Sequence, residues 1–303
     1  MKNKILELKQ QKNALILAHY YTIPEVQDIA DFVGDSLALA KAAASTNADI
    51  IIFAGVHFMA ETAKILNPTK KVIIPDLNAG CSLADSCPSD QLTEFLQKYP
   101  DHLVLSYINC SAEVKALSDI IVTSGNALKI VQSLPEDQKI VFTPDRNLGA
   151  YINSTLQREM VLWDGACHVH DQLTVDEVFK LKFQYPNAKV LAHPECKATI
   201  LAIADFVGST AAMLKFTEDD STKEYIVATE TGILYEMQKR NPNKIFHVVN
   251  SSETCSCNDC EFMKLNSLSK IYTALLNETP ELILDSELME KAKLPILRML
   301  DLS

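Results

Sequence analysis

Hydrophobic residues in this chain form short continuous runs, and these runs alternate with segments in which apolar residues recur every three or four positions. LILAH, which ends at His19, is one such run, and SLALAKAAAS, which begins at Ser36, has the helical spacing. Continuous apolar runs of this length are typical of strands that are buried on both faces. Their alternation with helices predicts an α/β protein built on parallel sheets.

One pattern occurs three times along the chain. ADFVGDS at residues 30–36 recurs as ADFVGST at residues 204–210, and each copy follows a strand that ends in Ala-His, at His19 and His193. LVLSY, which ends at Tyr107, opens a middle copy, and the three starting points are 88 and 86 residues apart. A hydroxyl residue lies 17 positions beyond each strand end: Ser36, Ser124 and Thr210. A fixed period of this kind indicates an internal repeat.

The repeat predicts three αβα three-layer units, related by a pseudo-threefold axis, whose small parallel sheets surround a central active site. Each unit is expected to run strand, helix, a signature that opens a second helix, strand, helix and last strand. We expect the units at 1–82, 83–168 and 169–261, with helices in 262–303 packing back on the first unit. A single doubly wound sheet with chance similarities is the alternative.

The strand-end residues predict a ligand site, because ligands of parallel α/β units bind beyond the carboxyl ends of the strands. His19, Tyr107 and His193 hold this position. Tyr21, Asn109 and Glu195 follow each of them by two residues, so that polar side chains continue into the loops. Histidine at two equivalent strand ends and tyrosine at the third are better explained by a shared pocket than by burial in the core.

The repeated hydroxyl residues lie where helices are predicted to begin. A helix N-terminus presents free N–H groups and a partial positive charge, and a serine or threonine hydroxyl adds a donor. Simple N-capping is the alternative for each one alone. Three such helix ends on one pseudo-threefold axis predict a socket for phosphate or carboxylate.

The eight cysteines follow the repeat in part. Cys81 and Cys167 follow the last strands of the first two units, and the third unit ends in three candidates, Cys255, Cys257 and Cys260. Three thiolates that meet at one point suit an iron–sulfur cluster or zinc, and three ligands would leave one iron of a cluster open to substrate. Three cysteines lack counterparts in the other units and are expected to be structural: Cys87, Cys110 and Cys196.

Several long motifs resemble those of quinolinate synthase, the iron–sulfur enzyme family of de novo NAD biosynthesis. They include AHYYTIPEVQDIADFVGDSLALAKAA, IPDLNAGCSLADSCP, SYINCSAEVKALSDIIVTS, WDGACHVH and AHPEC. The resemblance covers essentially the whole chain. It implies a [4Fe–4S] cluster held by one cysteine from each of three similar domains.

The resemblance assigns two of the cluster ligands, Cys81 and Cys167, without ambiguity. The third ligand in the family precedes a short x-x-Met-Lys-like stretch, which selects Cys260 here, with Cys257 second. The repeat spacing alone favours Cys255, which lies 62 residues beyond His193 as Cys81 lies 62 beyond His19. We follow the local motif and expect Cys260.

The resemblance also implies the reaction and its residues. Iminoaspartate and dihydroxyacetone phosphate condense to quinolinate, phosphate and water, with the open iron as Lewis acid. The acid–base residues are then His19, Tyr21, His193 and Glu195. The substrate-binding residues are His19, Ser36, Tyr107, Asn109, Ser124, His170, His193, Glu195, Ser209 and Thr210. His168 stands where family members often have proline, which leaves His170 as the matching histidine.

The charge and hydropathy of the chain limit the classes of partner and the cellular location that are expected. The formal net charge of −11 argues against a nucleic-acid partner, which calls for a basic face. No apolar run approaches the roughly 20 residues that span a bilayer, and the N-terminal segment lacks signal-peptide features, so a cytoplasmic enzyme without a membrane partner is expected. An aspartate-oxidising enzyme is the expected source of iminoaspartate. A zinc-binding structural protein and a different iron–sulfur hydro-lyase are the rival readings.

Overall fold

The computed structural model of the protein describes residues 1–250 and 258–303, and within them the strands form three four-stranded parallel sheets. The first sheet and its helices are α1 (Lys2–Gln11), β1 (Ala14–His19), α2 (Pro24–Gln27), β2 (Phe32–Gly34), α3 (Ser36–Ser45), β3 (Ile50–Ala54), α4 (His57–Leu66), β4 (Lys71–Ile73) and α5 (Ser82–Asp85). The second comprises α6 (Ser89–Leu96), β5 (Leu103–Tyr107), α7 (Ala112–Ala116), β6 (Ile120–Val122), α8 (Ala127–Ser133), β7 (Ile140–Thr143), α9 (Arg146–Leu156), β8 (Val161–Leu162) and α10 (His168–Gln172). The third comprises α11 (Val175–Gln184), β9 (Lys189–Ala192), α12 (Ala198–Leu201), β10 (Phe206–Val207), α13 (Thr210–Asp219), β11 (Glu224–Ala228), α14 (Ile233–Arg240), β12 (Ile245–Val248) and α15 (Glu261–Lys264), after which come α16 (Leu268–Asn277) and α17 (Ser286–Leu302).

The three sheets have the same strand order, β2-β1-β3-β4, β6-β5-β7-β8 and β10-β9-β11-β12. Every pairing between these strands is parallel. The predicted α/β fold with three αβα units is therefore confirmed, and the described strands do not form the single doubly wound sheet. The proposed boundaries between the units stay a prediction.

Each sheet has four strands, whereas the sequence pattern predicts three. The additional strands β2, β6 and β10 are two or three residues long and lie at a sheet edge, where the signature was expected to enter a helix directly. An aspartate before each of them fixes the pairing, because its carboxylate accepts a backbone N–H from the first strand of the unit. These bonds are Ile16 N to Asp31 (2.8 Å), Val104 N to Asp119 (2.8 Å) and Val190 N to Asp205 (2.7 Å).

The core of each unit is centred on its first strand. Leu17, Leu105 and Leu191 occupy the equivalent position two residues before each strand-end residue, and all three are fully buried. Burial of one leucine side chain contributes about 1.5–3 kcal/mol relative to exposure. The packed strands thereby fix where His19, Tyr107 and His193 emerge from the sheets.

The C-terminal helices connect two of the units. Helix α16 packs on α1 and β3 in the first unit. Helix α17 packs on α7 and β6 in the second unit as well as on α4 in the first. Among the helices of residues 1–250 and 258–303, none combines the length and the apolar character needed to cross a bilayer.

Candidate active site

A pocket lies where the first strands of the three units end. His19 and Tyr107 close β1 and β5, and His193 directly follows β9. All three line the pocket, so the strand-end prediction places them correctly in space. Ten further residues named from the sequence also line it: Tyr21, Ser36, Cys81, Asn109, Ser124, Cys167, His170, Glu195, Thr210 and Cys260.

Three cysteines reach this pocket from equivalent positions. Each is the residue that precedes a short helix, with Cys81 before α5, Cys167 before α10 and Cys260 before α15. All three are half-buried free thiols. Burial raises the pKa of Cys81 to about 12 and that of Cys260 to about 11, and it raises the pKa of Cys167 well above its usual range. A metal ion that replaces the thiol proton removes this penalty, so the donor set fits a metal centre.

Cys167 also lies close to two other groups that bind metals. Its sulfur, a ring nitrogen of His170 and a carboxylate oxygen of Glu195 all lie within 4.8 Å of one another. Cysteine, histidine and glutamate are all ligands of transition metals. The site therefore offers metal-binding chemistry beside the three cysteines.

A buried glutamate is bracketed by two histidines. Glu195 Oε2 lies 2.7 Å from His170 Nδ1 and 3.4 Å from His193 Nδ1, and the two imidazole rings stack with centroids 4.8 Å apart. Burial raises the pKa of Glu195, but the two histidines outweigh this effect and lower the pKa below its usual range. His193 is itself held neutral, because burial lowers its pKa. Its Nε2 lies 3.2 Å from the Ser124 hydroxyl.

The first unit contributes an aromatic side chain and a neutral imidazole. Burial lowers the pKa of His19 to about 3, and it raises the pKa of Tyr21 well above 10. The two rings meet edge to face at 4.6 Å, and the backbone N–H of Tyr21 donates to His19 Nδ1. Burial likewise raises the pKa of Tyr107. At neutral pH the pocket therefore presents two protonated phenols.

Two of the repeated hydroxyl residues, Ser36 and Thr210, lie at helix starts without capping them, and Ser124 lies two residues before the N-cap of α8. Helix α3 is capped by Asp35, whose side chain accepts the N–H of Ala38, so Ser36 is the first residue inside the helix. Helix α13 is capped in the same way by Ser209, which leaves Thr210 inside the helix. In both helices the N-cap is therefore the residue before the hydroxyl residue, and the hydroxyl residue itself does not cap the helix. Ser209 is not among the residues that line the pocket, and its predicted role in substrate binding stays a prediction.

The sequence profile of the family described as Quinolinate synthetase A protein matches residues 3–301 of this chain. Quinolinate synthase of Nostoc punctiforme is 56% identical over 299 residues, which cover 99% of this chain and 92% of that protein. Quinolinate synthase of Synechocystis sp. is 56% identical over 299 residues, covering 99% and 94%, and that of Chloroherpeton thalassium is 54% identical over 301 residues, covering 99% and 94%.

The chain belongs to the quinolinate synthetase A family. Its relatives are enzymes, and the resemblance seen in the sequence motifs is confirmed. The candidate site of this family member also contains residues that sequence reasoning missed.

Thr229 and Glu230 were missed, although both lie directly beyond β11. The Thr229 hydroxyl lies 2.9 Å from both Tyr21 Oη and His170 Nε2. Glu230 accepts the backbone N–H of Cys260 and pairs with Lys264 at 2.8 Å. No repeat signal pointed to them, because the first unit has Gly55 and Val56 after β3.

Asp145 is the counterpart of Glu230 in the second unit. It lies two residues beyond β7, is fully buried, and accepts the backbone N–H of Cys167 at 3.2 Å. The backbone N–H groups of Cys167 and Cys260 therefore each donate a hydrogen bond to a buried carboxylate. Comparing the second and third units with each other, without the first, would have revealed this pair.

His168 joins two of the cysteine-bearing helices. Its Nδ1 lies 2.6 Å from the hydroxyl of Ser82, the first residue of α5, and its ring meets Phe262 of α15 edge to face. The structure thus gives this histidine contacts with α5 and α15. Cys87, Cys110 and Cys196 are fully buried, as expected of structural cysteines. Cys255 and Cys257 lie outside the described residues.

Proposed function

We propose that this chain synthesises quinolinate from iminoaspartate and dihydroxyacetone phosphate, with release of phosphate and two molecules of water. The names of its relatives support the product. The observation that carries the proposal is the arrangement of Cys81, Cys167 and Cys260, one from each unit, around a single pocket.

The three cysteines would hold a [4Fe–4S] cluster. Their half-buried thiols precede three short helices, and they lie close enough for Cys260 to raise the pKa of Cys81 and for both to raise the pKa of Cys167. When bound, the cluster would supply an iron with an open position, a Lewis acid for the departure of hydroxide. Cys260 is the proposed third ligand, with Cys257 and then Cys255 as the alternatives.

The remaining residues divide between binding and proton transfer. Tyr107, Asn109 and His170 would bind the dicarboxylate, and the hydroxyls of the helix starts would bind the phosphate as charge develops on it. These hydroxyls belong to Ser36, Ser124, Ser209 and Thr210. His19, Tyr21, His193 and Glu195 would transfer protons in the enol and imine steps. The phenol of Tyr21 is a donor at neutral pH, since burial raises its pKa.

The proposed substrates and cluster indicate which kind of enzyme supplies iminoaspartate and in which compartment the reaction takes place. Iminoaspartate is an oxidised form of aspartate, so an aspartate-oxidising enzyme would supply it. A cluster with an exposed iron suits a reducing compartment, which supports a cytoplasmic location. Small molecules, with no nucleic acid and no membrane, are the proposed partners.

Anaerobic purification tests the proposal directly. The protein should contain iron and sulfide in equal amounts, absorb broadly in the visible range, and form quinolinate and phosphate from the two substrates. Cys81→Ala, Cys167→Ala and Cys260→Ala should each lose the cluster and activity. The matched controls Cys87→Ala and Cys110→Ala should keep both. Zinc in place of iron would contradict the proposal, and a cluster that survives Cys260→Ala but not Cys257→Ala or Cys255→Ala would move the third ligand.

A further inference from the structure

Lys115 in α7 is a lysine whose side chain is completely buried. An ammonium group has three donors and no acceptor, and its burial is costly unless these donors are paired. The Nζ of Lys115 donates to the backbone carbonyl oxygens of Cys110 and Phe58, the second at 3.4 Å. Glu61 Oε2 lies 4.0 Å from the same nitrogen. The buried ammonium group therefore joins the second unit, to which it belongs, to α4 of the first.

Cys110 closes a tight turn that carries a residue of the pocket. Its backbone N–H donates to Ile108 O at 2.8 Å, and a bond between residues i and i+2 defines a γ-turn, here with Asn109 at its centre. Asn109 lines the pocket, and its buried Oδ1 has no hydrogen-bond partner in the part of the chain that the structure describes. The turn is thus held through both the N–H and the C=O of Cys110, and Lys115 supplies the bond to the C=O.

The other contacts of Lys115 reach a different wall of the same pocket. Phe58 lies in α4 and lines the pocket. Three residues further along α4, the buried carboxylate of Glu61 accepts the backbone N–H of Ala112, the first residue of α7, at 2.9 Å. Neither Lys115 nor Glu61 is among the residues that line the pocket. The two charged groups therefore hold α4 against α7 from behind the pocket walls.

We propose that Lys115 is a positioning residue that fixes the turn of Asn109 against α4 and thereby sets the affinity for the dicarboxylate substrate. The inference rests on the proposed function, in which Asn109 binds that substrate. A displaced Asn109 would weaken binding equally in the ground state and the transition state, which raises KM and leaves kcat unchanged. The phosphorylated substrate is bound by other groups in that proposal, so its KM should not change.

Lys115→Met tests the inference, because methionine keeps much of the length of the side chain and removes the ammonium group. Loss of one partner from a buried pair of charges is strongly destabilising, so the double variant Lys115→Met/Glu61→Gln is measured beside it. Glutamine keeps an acceptor for the N–H of Ala112 and carries no charge. In both variants the KM for iminoaspartate should rise at least about tenfold, whereas kcat and the KM for dihydroxyacetone phosphate should stay within about twofold. The iron content per chain should equal that of the wild type.

Glu61→Gln and Lys64→Met provide the matched controls. Glu61→Gln retains the bonds from Lys115 to the two carbonyl oxygens. Lys64 is a buried lysine of the same helix α4, and it donates to Lys70 O at 2.8 Å away from the pocket. Both variants should lose stability and keep the KM for iminoaspartate within about twofold. A rise in Glu61→Gln equal to that in Lys115→Met would contradict a specific role for the lysine.

Three further results would overturn the inference. One is a folded double variant with the wild-type iron content and an unchanged KM for iminoaspartate. Another is an equal rise in KM for both substrates, which would indicate a general distortion of the pocket. The third is a double variant that does not fold, since Lys115 would then be required for folding itself. Failure of the proposed function gives a different result, because the wild-type protein would form no quinolinate.

Discussion

The side chains of the pocket owe their protonation states mainly to burial. His19 stays neutral because burial lowers its pKa to about 3, whereas Tyr21 and Tyr107 keep their protons because burial raises theirs. Glu195 is the exception, since two neighbouring histidines keep it ionised despite its burial. The pocket thus combines two protonated phenols and a neutral imidazole with the ionised carboxylate of Glu195, which suits the binding and deprotonation of polar substrates.

Buried His19 predicts that the protein loses stability in mild acid. Below pH 6.5 the unfolded chain takes up a proton on this histidine that the folded protein does not bind, so stability is full above pH 6.5 and falls toward pH 3. The loss should reach about 2 kcal/mol by pH 5, at about 1.4 kcal/mol per pH unit. Urea unfolding at several pH values measures it.

His19→Gln is the comparison for this prediction, because glutamine does not titrate. The difference in unfolding free energy between wild type and variant should shrink as the pH falls from 7 to 5. A difference that is independent of pH would show that His19 is not the source of the acid sensitivity.

At the scale of elements, hydroxyl residues of the pocket lie at the first position of α3 and α13 and two residues before the N-cap of α8. Because Asp35 and Ser209 cap α3 and α13, the hydroxyls of Ser36 and Thr210 are not needed to hold their helices. We therefore expect Ser36→Ala, Ser124→Ala and Thr210→Ala each to weaken phosphate binding by about 1–2 kcal/mol, with little change in stability. Calorimetric titration with inorganic phosphate measures this.

Ser267→Ala is the control for these variants. Ser267 caps α16, where its side chain accepts the N–H of Lys270, and it does not line the pocket. Its replacement should cost about 1 kcal/mol of stability and leave phosphate affinity unchanged. Unchanged affinity in all three pocket variants would leave their hydroxyls without a role in anion binding.

The elements also show where prediction from sequence succeeds. The strand-end residues were found because the similar apolar runs LILAH and KVLAH place His19 and His193 at the same edge of their sheets. The short strand β10 was missed, since two residues are too few for a hydrophobic pattern. Thr229 was missed because its contacts with Tyr21 and His170 depend on how the units dock against one another, which no local pattern encodes.

At the scale of the whole molecule, α17 packs against both of the first two units and connects their cores. Ala292, Ile296 and Met299 on this helix are fully buried, and they belong to the same core as residues of both units. Ile296→Ala should therefore lower the free energy of unfolding by about 2–5 kcal/mol. Urea unfolding checks the value.

The adjacent residue provides the control for this variant. Leu297 is 37% exposed, so Leu297→Ala should change the stability by about 0.5 kcal/mol or less. Equal losses in the two variants would show that α17 does not hold the units together through its buried face.

The placement of the three cysteines has a consequence for biosynthesis. Cys81 and Cys260 lie far apart along a chain of 303 residues, and each is the contribution of a different unit. At a translation rate of 5–20 residues per second, roughly 10–40 s separate the synthesis of the two cysteines. A nascent chain therefore lacks at least one of the three proposed cluster ligands for most of its synthesis. If the proposed cluster forms on these three cysteines, its assembly has to wait until the last unit has been synthesised.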